Sequence, residues 1–422
     1  MKPVDVLYFI EHVARELDVA LIVKALVEAK SPHKVVIKHI YGDAKEAMKT
    51  FRPKVVVVPF FYSRDDLGMK EFIRIWPSAL FFNLAWEQIF YPLQQKLKKP
   101  KDSFTKNHIF HHAWAPFYKK YLLENGVGED KIFLNGNPIY ELYQNPYKLF
   151  FTNRQILSRK YHLDKKKKWI FIPENYRWAF ETDKRLQRVS GDGISTTSLF
   201  SLRDFSQRSL RLLLEWLERL SYEEDIEVIL RPRPATAKTL LLHFYNKNSG
   251  KSSTRIHIIK KESVREWVLA SDIVLSSFST TLIEGAVANK PIYIFEPIRF
   301  PKIVSNSWYR YVEKIKSYRS LQKMCRGEGS VSGKKLKMWA YTTMFQTHDP
   351  IEKLTNFIQN LLDNPRVDNV SFPKKADALY TYVQNRFLPK TYFNPDTHDS
   401  DLFSDSEIDA KLNRWKSILL PN

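Results

Sequence analysis

Residues 273–295 read IVLSSFSTTLIEGAVANKPIYIF. The apolar run Ile273–Leu275 predicts a strand, Thr281–Val287 a helix and Pro291–Phe295 a second strand, with a hydroxyl-rich turn leading into the helix. Strand, crossover helix, strand is the repeating unit of a parallel sheet with helices on its faces. Working outward, the same rhythm holds through Trp169–Ile172, the long helical stretch Leu199–Leu220, Glu227–Leu230, Ile256–Ile259 and the helical Val264–Leu269. One α/β half therefore spans about residues 167–297. An earlier half opens with Val4–Ile10 and a helix over Glu11–Ala29. It continues through Lys34–Ile40, Lys54–Phe60, Ala79–Leu84, Ile109–Ala113 and Lys131–Leu134, and closes at the turn Gly136-Asn137-Pro138. Residues 139–166 read as helical and highly charged; Pro350–Leu362 and Ala376–Phe387 read as later helices, and the acidic patch Asp396, Asp399, Asp401, Asp405, Glu407 and Asp409 as a screen for basic surface or a solvated tail.

The expected division is 1–150, 151–300 and 301–422, two Rossmann-like domains followed by a basic, aromatic segment and C-terminal helices. A chain of 422 residues exceeds one compact core, which fits two domains. The formal charge of +21 points to an anionic partner: a phosphorylated donor, an acidic glycan, a membrane surface or nucleic acid. The single cysteine, Cys325, fits a reducing compartment. Met1–Asp5 and Glu11 leave no room for a signal-peptide core, and no apolar run reaches membrane-spanning length, so a cytoplasmic protein is expected.

Ligands of open α/β sheets bind beyond the carboxyl ends of the strands, so polar residues following each strand are the site candidates. Ser276, Ser277, Ser279, Thr280 and Thr281 form the densest cluster, suited to phosphate. Thr281 with Glu284 also matches a helix capping box, which would use some of those hydroxyls locally. Arg231 and Arg233, spaced by prolines after the strand at Glu227, offer bidentate phosphate contacts or an ordinary surface turn. Glu174 and Glu87 stand at two more strand exits as candidate catalytic carboxylates, although strand-exit carboxylates also cap helices. Glu11 and His12 end the first strand. His108, His111 and His112 lack the cysteines and spacing of a metal site, and alternation sends the last two to opposite faces, so no metal is expected. Gly-x-Gly-x-x-Gly, Walker and Gly-x-Ser-x-Gly motifs are all missing.

These clusters resemble bacterial surface-carbohydrate biosynthesis proteins, a family related to the Kdo transferases of capsule and lipopolysaccharide assembly. The similar elements are Glu11–Asp18, Leu134–Pro138, Arg231–Pro234, Ser276–Ala286 and Asn289–Pro291, in order across residues 1–297. The resemblance implies a GT-B-like architecture with acceptor on the N-terminal domain and donor nucleotide on the C-terminal one. It implies a metal-independent glycosyltransferase with no cofactor beyond a CMP-linked sugar donor of the Kdo type. Ser276, Ser277, Ser279, Thr280, Glu284, Arg231 and Arg233 fall on its donor side, Glu11 and His12 on its acceptor side. The acceptor implied is a surface glycan or a lipid-linked precursor. Arg233 stands where the family has histidine, and arginine cannot donate a proton at neutral pH.

Two other functions fit the same charge and fold: a polyol phosphotransferase with a CDP-activated donor, and a non-catalytic anion- or nucleic-acid-binding protein. No nucleic-acid motif is present, so no nucleic-acid partner is expected. The aromatic, basic stretch 298–345 is expected to touch an anionic membrane at its inner face.

Overall fold

The computed structural model describes residues 1–66, 68–190, 194–234, 236–248, 253–328, 333–345, 348–364 and 401–420. Among these residues twelve strands form two six-stranded parallel sheets. The first contains β1 (Lys2–Ile10), β2 (Val35–His39), β3 (Phe51–Val58), β4 (Leu80–Asn83), β5 (Ile109–Ala113) and β6 (Ile132–Leu134), in the order β2-β1-β3-β4-β5-β6. The second contains β7 (Lys168–Pro173), β8 (Ile226–Arg231), β9 (Ile256–Ile258), β10 (Ile273–Ser276), β11 (Ile292–Phe295) and β12 (Lys314–Ile315). Its order is β12-β11-β10-β7-β8-β9, the Rossmann arrangement. Chain direction across each sheet reverses once, between β1 and β3 and between β7 and β10. Loops leave in opposite directions at such points and open a crevice.

Helices cover both faces of each sheet, so the central strands are continuous apolar runs rather than alternating ones. Val55, Val56, Val57 and Val58 are all fully buried, as are Val228, Ile229 and Leu230. The helix Thr281–Val287 lies so close to its sheet that a Cβ on Gly285 would stand 2.9 Å from Ile292 Cγ2 and 3.3 Å from Val274 Cγ2.

Several expectations need correction. The helix expected over Glu11–Ala29 begins as a π-helical turn, Val13–Leu17, before continuing as Asp18–Lys30. Residues 139–166 do not make one helix but three short ones, Pro138–Glu141, Tyr147–Phe150 and Arg154–Tyr161, because Pro146 cannot supply a helical N–H. The second sheet runs on past residue 300, since β12 pairs with β11 through Ile294 and Phe295. Trp308 and Tyr309 in that segment are buried, so these aromatics present no face to a membrane. No described helix is long and apolar enough to cross a membrane. The helices Pro350–Asp363 and Asp405–Leu419 return to the N-terminal half and pack on Asp18–Lys30. Phe357 stacks on Phe133 at 4.1 Å and Trp415 on Phe150 at 3.9 Å. The helix expected over Ala376–Phe387, and Asp396 and Asp399 of the acidic patch, lie outside the described residues.

Candidate functional site

The carboxyl ends of both sheets face one cleft, of volume ≈ 220 Å³. Its N-terminal wall carries His12 and Arg15 beyond β1, Trp86, Glu87 and Gln88 beyond β4, and Trp114 beyond β5. Its C-terminal wall carries Glu174 beyond β7, Arg231 and Arg233 at the end of β8, Ser279 and Thr280 beyond β10, and Glu284 on the following helix. Strand exits are therefore where the polar lining concentrates, as the sheet geometry requires.

The donor-side hydroxyls divide. Ser276 is still in β10 and donates to the Pro173 carbonyl at 2.6 Å, tying the two strands at the switch point. Ser277 is buried against the Tyr176 hydroxyl, which meets Ser209 Oγ at 3.0 Å. Neither lines the cleft, so of the five clustered hydroxyls the structure brings Ser279, Thr280 and Thr281 to it. The capping box expected between Thr281 and Glu284 does not form: Thr280 is the N-cap, without a side-chain cap, and Glu284 accepts instead from the Tyr143 hydroxyl at 2.7 Å. Burial raises the Glu284 carboxyl above its usual range, against the opposing pull of Arg265 and Tyr143.

Arg231 is buried, with Nη1 donating to the Pro232 carbonyl at 3.3 Å and Nη2 to the Glu262 carbonyl at 3.1 Å. Burial pushes its guanidinium down to about 10, despite the attraction of Asp401 and Glu266. Glu174 is occupied by the backbone: its carboxylate accepts from the amides of Tyr176 and, at 3.3 Å, Arg233. Burial raises its pKa even so. This carboxylate shapes the β7 and β8 exits and sets the position of Arg233.

On the opposite wall Arg15 is a hub. It donates to Glu87 at 3.1 Å, to Glu11 at 2.9 Å and to the fully buried Glu16 at 2.5 Å. Glu87 is also paired with Lys98. One Glu87 oxygen is thus taken by Arg15 and the other by Lys98, whereas Glu174 spends its oxygens on backbone amides. Glu11 accepts from Tyr41 at 3.0 Å. Burial alone would raise its pKa, but His12, Arg15 and Lys98 hold it at about 2. His12 Nδ1 is hydrogen-bonded to Asp401, 2.9 Å away and fully buried, whose second oxygen accepts from the Val13 amide at 3.0 Å.

Asp401, Arg15 and Arg265 escaped sequence reasoning. Arg265 crosses from the second domain to the first, where it pairs with Asp18 at 2.8 Å and donates to the Arg15 carbonyl at 3.1 Å. His111 bonds the Thr105 carbonyl at 2.8 Å and His112 lies against Phe133 at 5.7 Å, both buried in structural roles. Among the described residues no three His, Cys, Asp or Glu group to hold a metal ion.

No protein-family model matches the sequence, and no curated protein is similar to it in sequence. Its fold is similar to that of S. aureus MnaA solved with UDP, at 13% identity and a TM-score of 0.53, covering 86% of this chain and 97% of that one. The M. jannaschii UDP-GlcNAc 2-epimerase in complex with UDP-GlcNAc and UDP gives 14% identity and a TM-score of 0.52, covering 85% and 99%. The N. meningitidis UDP-GlcNAc 2-epimerase bound to UDP-GlcNAc gives 12% and 0.50, covering 86% and 100%. At these identities the likeness shows the fold, and that fold is the two-domain GT-B-like one expected.

Proposed function

We propose that the chain is a nucleotide-sugar enzyme, and specifically a glycosyltransferase moving an acidic sugar of the Kdo type from CMP to a surface glycan or its lipid-linked precursor. One observation carries the first half of this reading. Three buried donors on the cleft residues, Trp86 Nε1, Trp114 Nε1 and Arg231 Nε, have no acceptor among the described residues. A buried donor without a partner costs about 1–3 kcal/mol, which a guest rich in oxygen acceptors removes. Phosphates and sugar hydroxyls are such guests. Arg233, Ser279 and Thr280 on the same wall suit the leaving phosphate, whose developing charge fixed cationic donors stabilise. The second half rests on the resemblance of Arg231–Pro234 and Ser276–Ala286 to the Kdo-transferase-related family.

Calorimetric titration with CMP, CDP, UDP and GDP tests the reading, with CMP expected to bind best. Arg231→Ala and Arg233→Ala should each weaken binding by roughly 10- to 100-fold, the worth of a charge-assisted hydrogen bond. Silence with all four nucleotides would remove the proposal. The solved structures named above favour a second reading, epimerisation of a UDP-sugar at C2. Proton NMR of UDP-GlcNAc incubated with the protein alone separates the two, because epimerisation needs no acceptor and transfer does.

A further inference from the structure

We infer that His12 is the general base of the transfer reaction and that Asp401, delivered by the C-terminal tail, is its positioning residue; this rests on the glycosyltransferase reading. His12 lies just past β1, at the switch point of the first sheet, on the wall facing the donor-side arginines. Its Nδ1 is 2.9 Å from Asp401 Oδ2, and Asp401 as a carboxylate, with Val13 N–H on its other oxygen, accepts at both. The neutral ring therefore carries its proton on Nδ1, and Nε2 is the basic nitrogen. A buried carboxylate behind an imidazole fixes tautomer and ring orientation and stabilises the imidazolium once it forms.

Asp401 is not a solvated member of an acidic tail. The helix Asp405–Leu419 that follows it is anchored by Trp415, fully buried between Phe150 and Phe151. Asp401 and His12 stand 389 positions apart in sequence, and they meet where that helix docks on the N-terminal half. Among the described residues the other titratable groups near the ring include Glu11, whose Oε1 is 3.8 Å from Nε2, and Glu16 behind it. Glu11 is itself held by Tyr41 and Arg15, which fixes its carboxylate beside the ring.

In the step, Nε2 takes the proton of the acceptor hydroxyl as that oxygen bonds to the anomeric carbon. The bond from that carbon to the phosphate oxygen breaks, and its electron pair leaves with the nucleotide. The imidazolium then releases its proton to solvent, so atoms and charge balance.

Two substitutions and two readouts test this. His12→Gln should bind CMP within about 3-fold of the wild type while transfer falls by roughly 100-fold or more, the usual worth of a general base. In Asp401→Asn the amide oxygen can keep the Val13 N–H, which turns the NH2 toward Nδ1 and reverses the tautomer. Transfer should fall by roughly 10- to 100-fold at unchanged KM. Nitrogen-15 NMR of labelled histidine should show His12 protonated on Nδ1 in the wild type and on Nε2 in Asp401→Asn. A wild-type ring protonated on Nε2, or His12→Gln transferring within about 5-fold of wild type, overturns the assignment while CMP binding leaves the transferase reading standing. A wild type that binds none of the four nucleotides overturns both.

Discussion

Replacing Arg265 by methionine tests how the two domains are held together. The side chain is 1% exposed and its partner Asp18 5%, so the pair is dry as well as close, with Nη2 and Nε 2.8 and 3.3 Å from the same carboxylate oxygen. Burial works against the guanidinium, yet Asp18 raises its pKa above the ordinary arginine value. Methionine keeps the stem that packs near Phe151 but strands a buried carboxylate and removes one donor from the Arg15 carbonyl. Breaking a buried pair from one side costs about 3–5 kcal/mol, whereas replacing both members by apolar groups is often close to neutral. Arg265→Met and Asp18→Leu should therefore each destabilise by about 3–5 kcal/mol, and the double variant should lie within about 2 kcal/mol of the wild type. The assay is urea unfolding at neutral pH followed by circular dichroism, read as a double-mutant cycle. Because the contact joins the two sheet domains, the single variants should also split one unfolding transition into two. Single variants within about 1 kcal/mol of wild type, or a double variant carrying the full sum of both losses, would refute a coupled buried pair.

Glu141 accepts from the Ile351 amide at 2.8 Å, in the first turn of the helix Pro350–Asp363, and burial pushes its pKa from 4.5 to about 7. Between those values the folded protein holds a proton that the unfolded chain has lost. Stability from this group is therefore full below about pH 4.5 and lost as pH rises through about 7. Glu141→Gln, which can keep the amide contact, should flatten that slope and stabilise the protein at pH 8 by about 2–3 kcal/mol in urea titrations. Gly285→Ala should cost about 1–3 kcal/mol by overpacking against Ile292 and Val274, and should weaken nucleotide binding by displacing Glu284. A thermal melt matching wild type would show that the helix can shift away from the sheet. Trp415→Ala should cost about 3–5 kcal/mol, and nitrogen-15 NMR should show His12 losing its fixed tautomer as Asp401 comes loose.

The sheets were legible because their signal is local. Runs such as Val55–Val58 and Val228–Leu230 are apolar on successive residues, and a strand of that kind must be covered on both faces. β12 left no such trace: Lys314–Ile315 is a strand because Ile294 and Phe295 offer it an edge. Strand exits likewise named the residues of the cleft without assigning their work. Ser276 and Glu174 stand where the rule places them, yet one bonds a neighbouring strand's carbonyl and the other two backbone amides. Nothing in their spacing separates an oxygen spent on the turn from one offered to a ligand, since both are chosen by the same need to satisfy buried polar groups. Asp401 was harder still. Among Asp405, Glu407 and Asp409 it reads as one more solvated acid, and it becomes a fully buried partner of His12 because a helix beyond it docks on the other end of the chain. A charge of this kind is stable in the interior because an opposite or donating group meets it there. That pairing is decided by the tertiary fold, so the residues best placed to set the chemistry are those whose local pattern says least about it.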